Sequence, residues 1–219
     1  MKIISHKNKL TKIIYNEKNL GFVPTMGGIH LGHKSLIKRS KDESYKTIVS
    51  IFINKPQFNK RKDFQKYPRI LKKDISILKK LKVDYLYIPT HKQIYPNGTN
   101  KKIKINKLEK KLCGKFRPGH FRAVVDVIYR FIKIIKPENI YLGEKDFQQL
   151  KIIEAFIKIN KIKVNVIPCK TIREKNGMAY SSRNFLLNKS EKIIGSQVYK
   201  LLFNSKKKLI KDKFRLKEI

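Results

Sequence analysis

The chain has 219 residues, 41% of them hydrophobic, and a formal charge of +37; this suffices for one ordinary domain with or without a small appendage, and excludes wholesale disorder. No apolar run approaches the ~20 residues of a membrane span, and "MKIISHKNKL" offers neither an apolar signal core nor a small-residue cleavage site, so a soluble, cytoplasmic protein is expected. Two distant cysteines, Cys113 and Cys169, make neither a disulfide framework nor a zinc knuckle.

Along the chain, "LGFVPT" is a short apolar run ending in turn residues and reads as a buried strand. Leu31 to Glu43 has helical spacing through Leu31, Leu36 and Ile37. "KTIVSIFIN", rich in β-branched residues, is the second strand. Residues 54–67 are polar and irregular. Pro68 opens a helix with Ile70, Leu71, Ile75, Leu78 and Leu81 on one side. "VDYLYIP" is the third strand, and 90–118 is a lysine-rich excursion with weak signals. In "GHFRAVVDVIYRFIKIIKP" the apolar residues recur at i, i+3, i+4 and i+7, giving a helix with a buried face stopped by Pro137. "NIYLGE" is the fourth strand, "DFQQLKIIEAFIKIN" a helix and "KVNVIP" the fifth strand. Alternating strands and helices imply an α/β, Rossmann-like fold: a parallel sheet with helices on both faces.

In such sheets ligands bind beyond the carboxyl ends of the strands. Four polar, glycine-bearing segments fall there: "PTMGGIHLGH", "NKPQF", "GEKDFQQ" and "TIREKNGMAYSSRN". His30 and His33 stand at a strand-to-helix turn, where free backbone N–H groups and the positive end of the helix dipole favour an anion. Gly27, Gly28 and Gly32 let backbone approach a ligand. Imidazoles placed there donate hydrogen bonds to phosphate oxygens and stabilise charge as a phosphate ester forms or breaks. The Gly-Lys-Ser/Thr ending of a P-loop is missing. Ser181, Ser182 and Arg183 supply two hydroxyls and a forked cation suited to clamping a triphosphate. After Gly143, Lys145 is a cation, and Asp146 either accepts from ribose hydroxyls or caps the next helix. Only one of Gln148 and Gln149 can point fully into a cleft; Gln57 is a second candidate amide, suited to hydroxyl and carboxylate groups. No Ser-His-Asp spacing and no paired metal ligands stand out, so a protein-bound metal is not expected. His6 and His91 read as surface residues. The lysines are scattered, alternating with isoleucine and asparagine as in "KIIEAFIKINKIKVNVI". They read as the codon bias of an A+T-rich genome, and no specific nucleic-acid partner is expected.

"PTMGGIHLGH", "VSIFINKPQF", "DFQKYPR", "LCGKFRPGHFRAVVDVIYRF", "YLGEKDFQQL" and "TIREKNGMAYSSRN" run in order over residues 20–187, roughly four-fifths of the chain. This series resembles the HIGH-type nucleotidyl-transferase superfamily and, within it, the pantothenate synthetase (pantoate–β-alanine ligase) family. The resemblance implies that ATP, accompanied by Mg2+, and pantoate form an enzyme-bound pantoyl adenylate, which the amine of β-alanine then attacks. It further implies that Met26, Gly27, Gly28, Ile29, His30, Leu31, Gly32 and His33 line the ATP site, with His33 as proton donor and His30 beside it on the phosphates. Gly143, Glu144, Lys145 and Asp146 would contact the nucleotide, with Lys145 on the α-phosphate, and Ile172 would meet the adenine through its backbone. Tyr180, Ser181, Ser182 and Arg183 would close on the phosphates, Gln57 and Gln149 would hold pantoate and β-alanine, and the chain would form a homodimer.

Some positions depart from the family pattern. Leu31 replaces a glutamate, Gly27-Gly28 an alanine or glycine-alanine step, Asn54-Lys55-Pro56 an asparagine-proline step, and Tyr180 a methionine. The resemblance divides the chain into a nucleotide- and pantoate-binding domain, 1–171, and a shortened C-terminal lid, 172–219. Only about 36 residues follow Arg183, including the helix-like "KIIGSQVYKLLFNSKKKLIKDKF". An adenylate that leaks to hydrolysis, releasing more AMP than pantothenate, is the expectation from that shortness. Other readings are a related nucleotidylyl transferase acting on a phosphorylated acceptor, a polyanion-binding protein driven by charge, and a lid-deficient copy with weak activity. The paired amides oppose the first, and scattered lysines beside a converged cleft oppose the second.

Overall fold

A computed structural model describes residues 1–100 and 102–211. Six strands form one parallel sheet: β1 (Lys2–Ile4), β2 (Leu20–Thr25), β3 (Lys46–Ile51), β4 (Tyr85–Tyr87), β5 (Asn139–Gly143) and β6 (Asn165–Cys169), in the order β1-β4-β3-β2-β5-β6. The helices are α1 (Lys7–Ile13), α2 (Leu31–Glu43), α3 (Arg61–Lys66), α4 (Leu71–Lys80), α5 (His91–Ile94), α6 (His120–Ile135), α7 (Phe147–Ile159) and α8 (Lys189–Lys211). The expected α/β Rossmann-like architecture is therefore present.

Parallel strands covered on both faces must be apolar on both, and these are. Phe22, Ile48, Tyr85, Tyr87, Ile140 and Leu142 face one core with residues of α1, α6 and α7. The alternating Val23, Val49, Leu86 and Tyr141 face a second core with residues of α2 and α4. Phe131 of α6 anchors the first core, its ring centroid 5.5 Å from Phe22 and 5.9 Å from Phe52. α6 ends at Lys136, whose left-handed φ of 51° turns the chain into Pro137.

Several elements differ from the sequence reading. β1 and α1 add an edge strand and a helix at the N-terminus, where Lys2, Ile3 and Ile4 pair with Tyr85, Leu86 and Tyr87. Three-residue strands and seven-residue helices leave little periodicity to read. The helix expected from Pro68 begins at Leu71, because Ile70 holds a non-helical φ/ψ of −118°/47°. The irregular 54–67 stretch contains a 3₁₀ turn over Lys55–Gln57 and then α3. Residues 212–214 of the C-terminal helix-like run lie outside the described residues. Among the described residues no helix is long and apolar enough to cross a membrane.

Chain direction positions the site. From β2 the chain winds outward through β3 and β4, then returns to the other side of β2 to form β5 and β6. The loops after β2 and β5 therefore diverge and open a crevice at the carboxyl ends of adjacent strands.

Candidate active site

The loop after β2 is fixed backbone atom by backbone atom. Gly27 and Gly28 have φ of 82° and 64°, a region that side chains with a Cβ rarely adopt. A Cβ on Gly28 would also lie 2.9 Å from that of Ser182. These two demands account for the glycine pair. Asp74 of α4, only 1% exposed, accepts from Gly28 N–H at 2.9 Å and from Ile29 N–H at 2.8 Å. From the opposite side the Ser182 hydroxyl lies 3.2 and 3.0 Å from the Gly27 and Gly28 carbonyls, to which it donates. A carboxylate on the amides and a hydroxyl on the carbonyls thus clamp the turn that presents His30.

His30 precedes α2 and His33 lies in its first turn, with the imidazoles stacked at 3.9 Å between centroids. The His30 backbone N–H donates to His33 Nδ1 at 3.4 Å, which assigns the His33 proton to Nε2. Burial, then the Lys145 charge, pushes His30 down to about 4. Burial, then His30 and Lys145, holds His33 well below the ordinary imidazole range. Both rings are neutral at pH 7. Such groups bind fewer protons folded than unfolded, so they stabilise the fold above the unfolded value of 6.5 and lose that contribution as pH falls from 6.5 toward 4. The melting temperature is expected to drop across that window, and His30→Asn to flatten the drop; thermal unfolding followed by circular dichroism checks this.

The wall after β3 is a chain of amides. Tyr95 Oη donates to Asn54 Oδ1 at 2.7 Å, and Asn54 Nδ2 donates to Gln57 Oε1 at 3.0 Å. Gln57 Nε2 then faces Met26 Sδ at 3.3 Å. His120 Nδ1 lies 2.8 Å from the Gln57 carbonyl oxygen. Gln57 lines the cleft wall at the end of the 3₁₀ turn over Lys55–Gln57, which also holds Pro56.

The loop after β5 separates the two glutamines. Gln148 turns away: its Nε2 donates to the carbonyls of Leu108 and Lys111, and its Oε1 accepts from Cys113 N–H. Gln149 lines the cleft. Lys145 and Asp146 stand at the mouth, 3.9 Å apart, and Asp146 makes no side-chain cap to α7. Beyond β6, Tyr180 N–H donates to the Ile172 carbonyl at 3.1 Å. The Tyr180 ring stacks 6.3 Å from His30, so the bulkier residue lies along the imidazole pair. α8 braces this segment, with Tyr199 under the Arg173 guanidinium at 4.0 Å.

One cleft of about 260 Å³ brings Met26, His30, His33, Gln57, Lys145, Gln149 and Arg183 together; Gly32, Gly143, Asp146, Ile172, Tyr180, Ser181 and Ser182 also line it. Gly27, Gly28 and Ile29 do not line it: Gly27 N–H donates to Thr25 Oγ1, and Gly28 and Ile29 are held by Asp74. Leu31 is exposed, and neither it nor Glu144 lines the cleft. Sequence reasoning missed Asn54, Arg117 and His120, which do line it, and Asp63 and Asp74, which support it. "RPGHFR" and "DFQKYPR" carried part of that signal as whole segments; Asp74 sits inside an ordinary helix pattern and carried none. His6 and His91 are exposed. Among the described residues no group of three metal-ligating side chains gathers.

Residues 2–218 match the family described as pantoate-beta-alanine ligase. The chain is 45% identical over 190 residues to the pantothenate synthetase of Sulfurihydrogenibium sp., covering 87% of this chain and 68% of that protein. A crystal structure of pantoate-beta-alanine ligase from Francisella tularensis, complexed with beta-gamma ATP and beta-alanine, superposes with a TM-score of 0.88 at 41% identity, over 92% of this chain and 79% of that one. Pantothenate synthetase from Thermus thermophilus superposes with a TM-score of 0.87 at 33% identity, over 93% of this chain and 74% of that one.

Proposed function

The chain belongs to the pantoate-beta-alanine ligase family, and on that premise we propose that its cleft makes pantothenate from pantoate and β-alanine at the expense of ATP, through a pantoyl adenylate. The observation that carries this reading is the meeting, in one crevice, of a phosphate-type floor (His30, His33, Lys145, Arg183) and an amide wall (Gln57, Gln149).

ATP enters as its Mg2+ complex. His33 Nε2–H and the His30 ring donate to phosphate oxygens as neutral groups, and Lys145 and Arg183 supply the cationic charge. The Gln57 and Gln149 amides fix the pantoate hydroxyl and carboxylate. A pantoate carboxylate oxygen attacks the α-phosphorus and pyrophosphate leaves; Lys145 offsets the charge developing on the α-phosphoryl oxygens. The β-alanine amine, as the free base, then attacks the acyl carbon. AMP departs with the bridging oxygen, and the amine's surplus proton passes to solvent. No side chain becomes covalently attached; rate comes from positioning and charge. In the same reading residues 1–171 form the nucleotide- and pantoate-binding domain, the shortened 172–219 segment brings Arg183 to the phosphates from the lid side, and the protein works as a cytoplasmic homodimer.

Exchange of labelled pyrophosphate into ATP tests the first half-reaction. The expected result is exchange that requires pantoate and needs no β-alanine. Exchange indifferent to pantoate, or supported only by a phosphorylated acceptor, would contradict it.

A further inference from the structure

Arg183 reaches the cleft from the serine loop, yet its guanidinium is held by a different part of the chain. Asp63 of α3, 120 residues earlier, accepts from Nε at 2.9 Å and from Nη2 at 2.9 Å in a two-toothed pair. The rings of Tyr67 and Phe58, from the same loop, lie 5.1 and 5.8 Å from the guanidinium carbon. At its own end Arg183 N–H donates to Ser181 Oγ at 3.2 Å. Of the five guanidinium N–H donors, two are committed to Asp63 and three remain for a ligand. Arg117 stands on the same rim. Burial and the Arg183 charge both disfavour its protonated form, whereas Asp63 favours it.

We propose that Asp63 is a positioning residue: its carboxylate presets the Arg183 guanidinium toward the phosphate being transferred and lets Arg117 and Arg183 share one rim. This role rests on the adenylating function given above. The pair is too exposed to be explained by stability, with side chains 42% and 33% accessible; pairs of this kind contribute little to folding. Its geometric effect is larger, because it fixes one side of a planar fork and so aims the other.

The test compares Asp63→Asn, Asp63→Glu, Arg183→Lys and the Asp63→Asn/Arg183→Lys double variant in pantoate-dependent pyrophosphate exchange, with melting temperatures measured alongside. For Asp63→Asn, kcat is expected to fall about tenfold to a hundredfold, while KM for ATP stays within about threefold and the melting temperature barely moves. Asp63→Glu should recover much of the rate. In the double variant the asparagine should add little to the loss from Arg183→Lys. An unchanged kcat would overturn the proposal, as would a melting-temperature loss without a kcat loss in the folded fraction. So would a lower KM for ATP, the mark of a latch that competes with the triphosphate. Absence of exchange in the unmodified enzyme would overturn the function and this role together, whereas exchange undiminished in Asp63→Asn would overturn only the role.

Discussion

Replacing His33 with alanine is expected to reduce pantoate-dependent pyrophosphate exchange by about a hundredfold to ten-thousandfold in kcat, with a much smaller change in KM for ATP. His33 lies in the first turn of α2, stacked on His30 at 3.9 Å, where the proposed function puts the ATP phosphates. Its Nδ1 is engaged by the His30 backbone N–H, so the Nε2 proton is fixed and available. A neutral donor suits a step in which negative charge grows on phosphate oxygens, since its hydrogen bond strengthens as that charge develops. In the proposed function ground-state affinity is shared with Lys145 and Arg183, which is why KM is expected to move less than kcat. His33→Gln, which keeps an N–H donor on a similar reach, is expected to retain more activity than His33→Ala. Steady-state exchange kinetics on the two variants check both statements; equal losses in kcat and in ATP binding would instead assign His33 to simple affinity.

Replacing Asp74 with alanine is expected to destabilise the fold by about 2–4 kcal/mol, because two buried N–H groups lose their acceptors at once. The carboxylate is 1% exposed and both its oxygens are engaged, one by Gly28 N–H and one by Ile29 N–H. The consequence reaches the chemistry through one peptide link, since His30 follows Ile29. Exchange activity in the folded fraction is therefore expected to fall at least about tenfold, as the imidazole pair loses its fixed entry into α2. Asp74→Asn keeps one acceptor and should lose roughly half as much stability. Urea unfolding gives the first number and exchange assays below the unfolding transition give the second.

Much of this site was legible because its strands and first helix follow strong local rules. "LGFVPT" coincides with β2, and the Leu31–Glu43 periodicity coincides with α2. The turn between them, with Gly27, Gly28 and His30, sits where the chain must change direction under positive φ. The choice between Gln148 and Gln149 was not legible, since both orientations satisfy a helix start; the 107–116 segment decided it by supplying carbonyls to Gln148. Asp63 and Asp74 were hidden for a different reason. Each acts on a partner far along the chain, at separations of 120 and about 45 residues, and nothing local distinguishes a carboxylate that will clamp a backbone from one that faces solvent. β1 was missed because three residues carry no period, and its pairing with β4 is fixed only by the assembled sheet.

The most direct measurement follows an oxygen atom. Pantoate carrying heavy oxygen in its carboxylate is turned over with ATP and β-alanine, and the products are weighed by mass spectrometry. Attack of the carboxylate on the α-phosphorus, followed by cleavage at the acyl carbon, leaves one heavy oxygen in AMP and none in pyrophosphate. Unlabelled AMP, or label appearing in inorganic phosphate with release of ADP, would contradict an adenylate formed in this cleft.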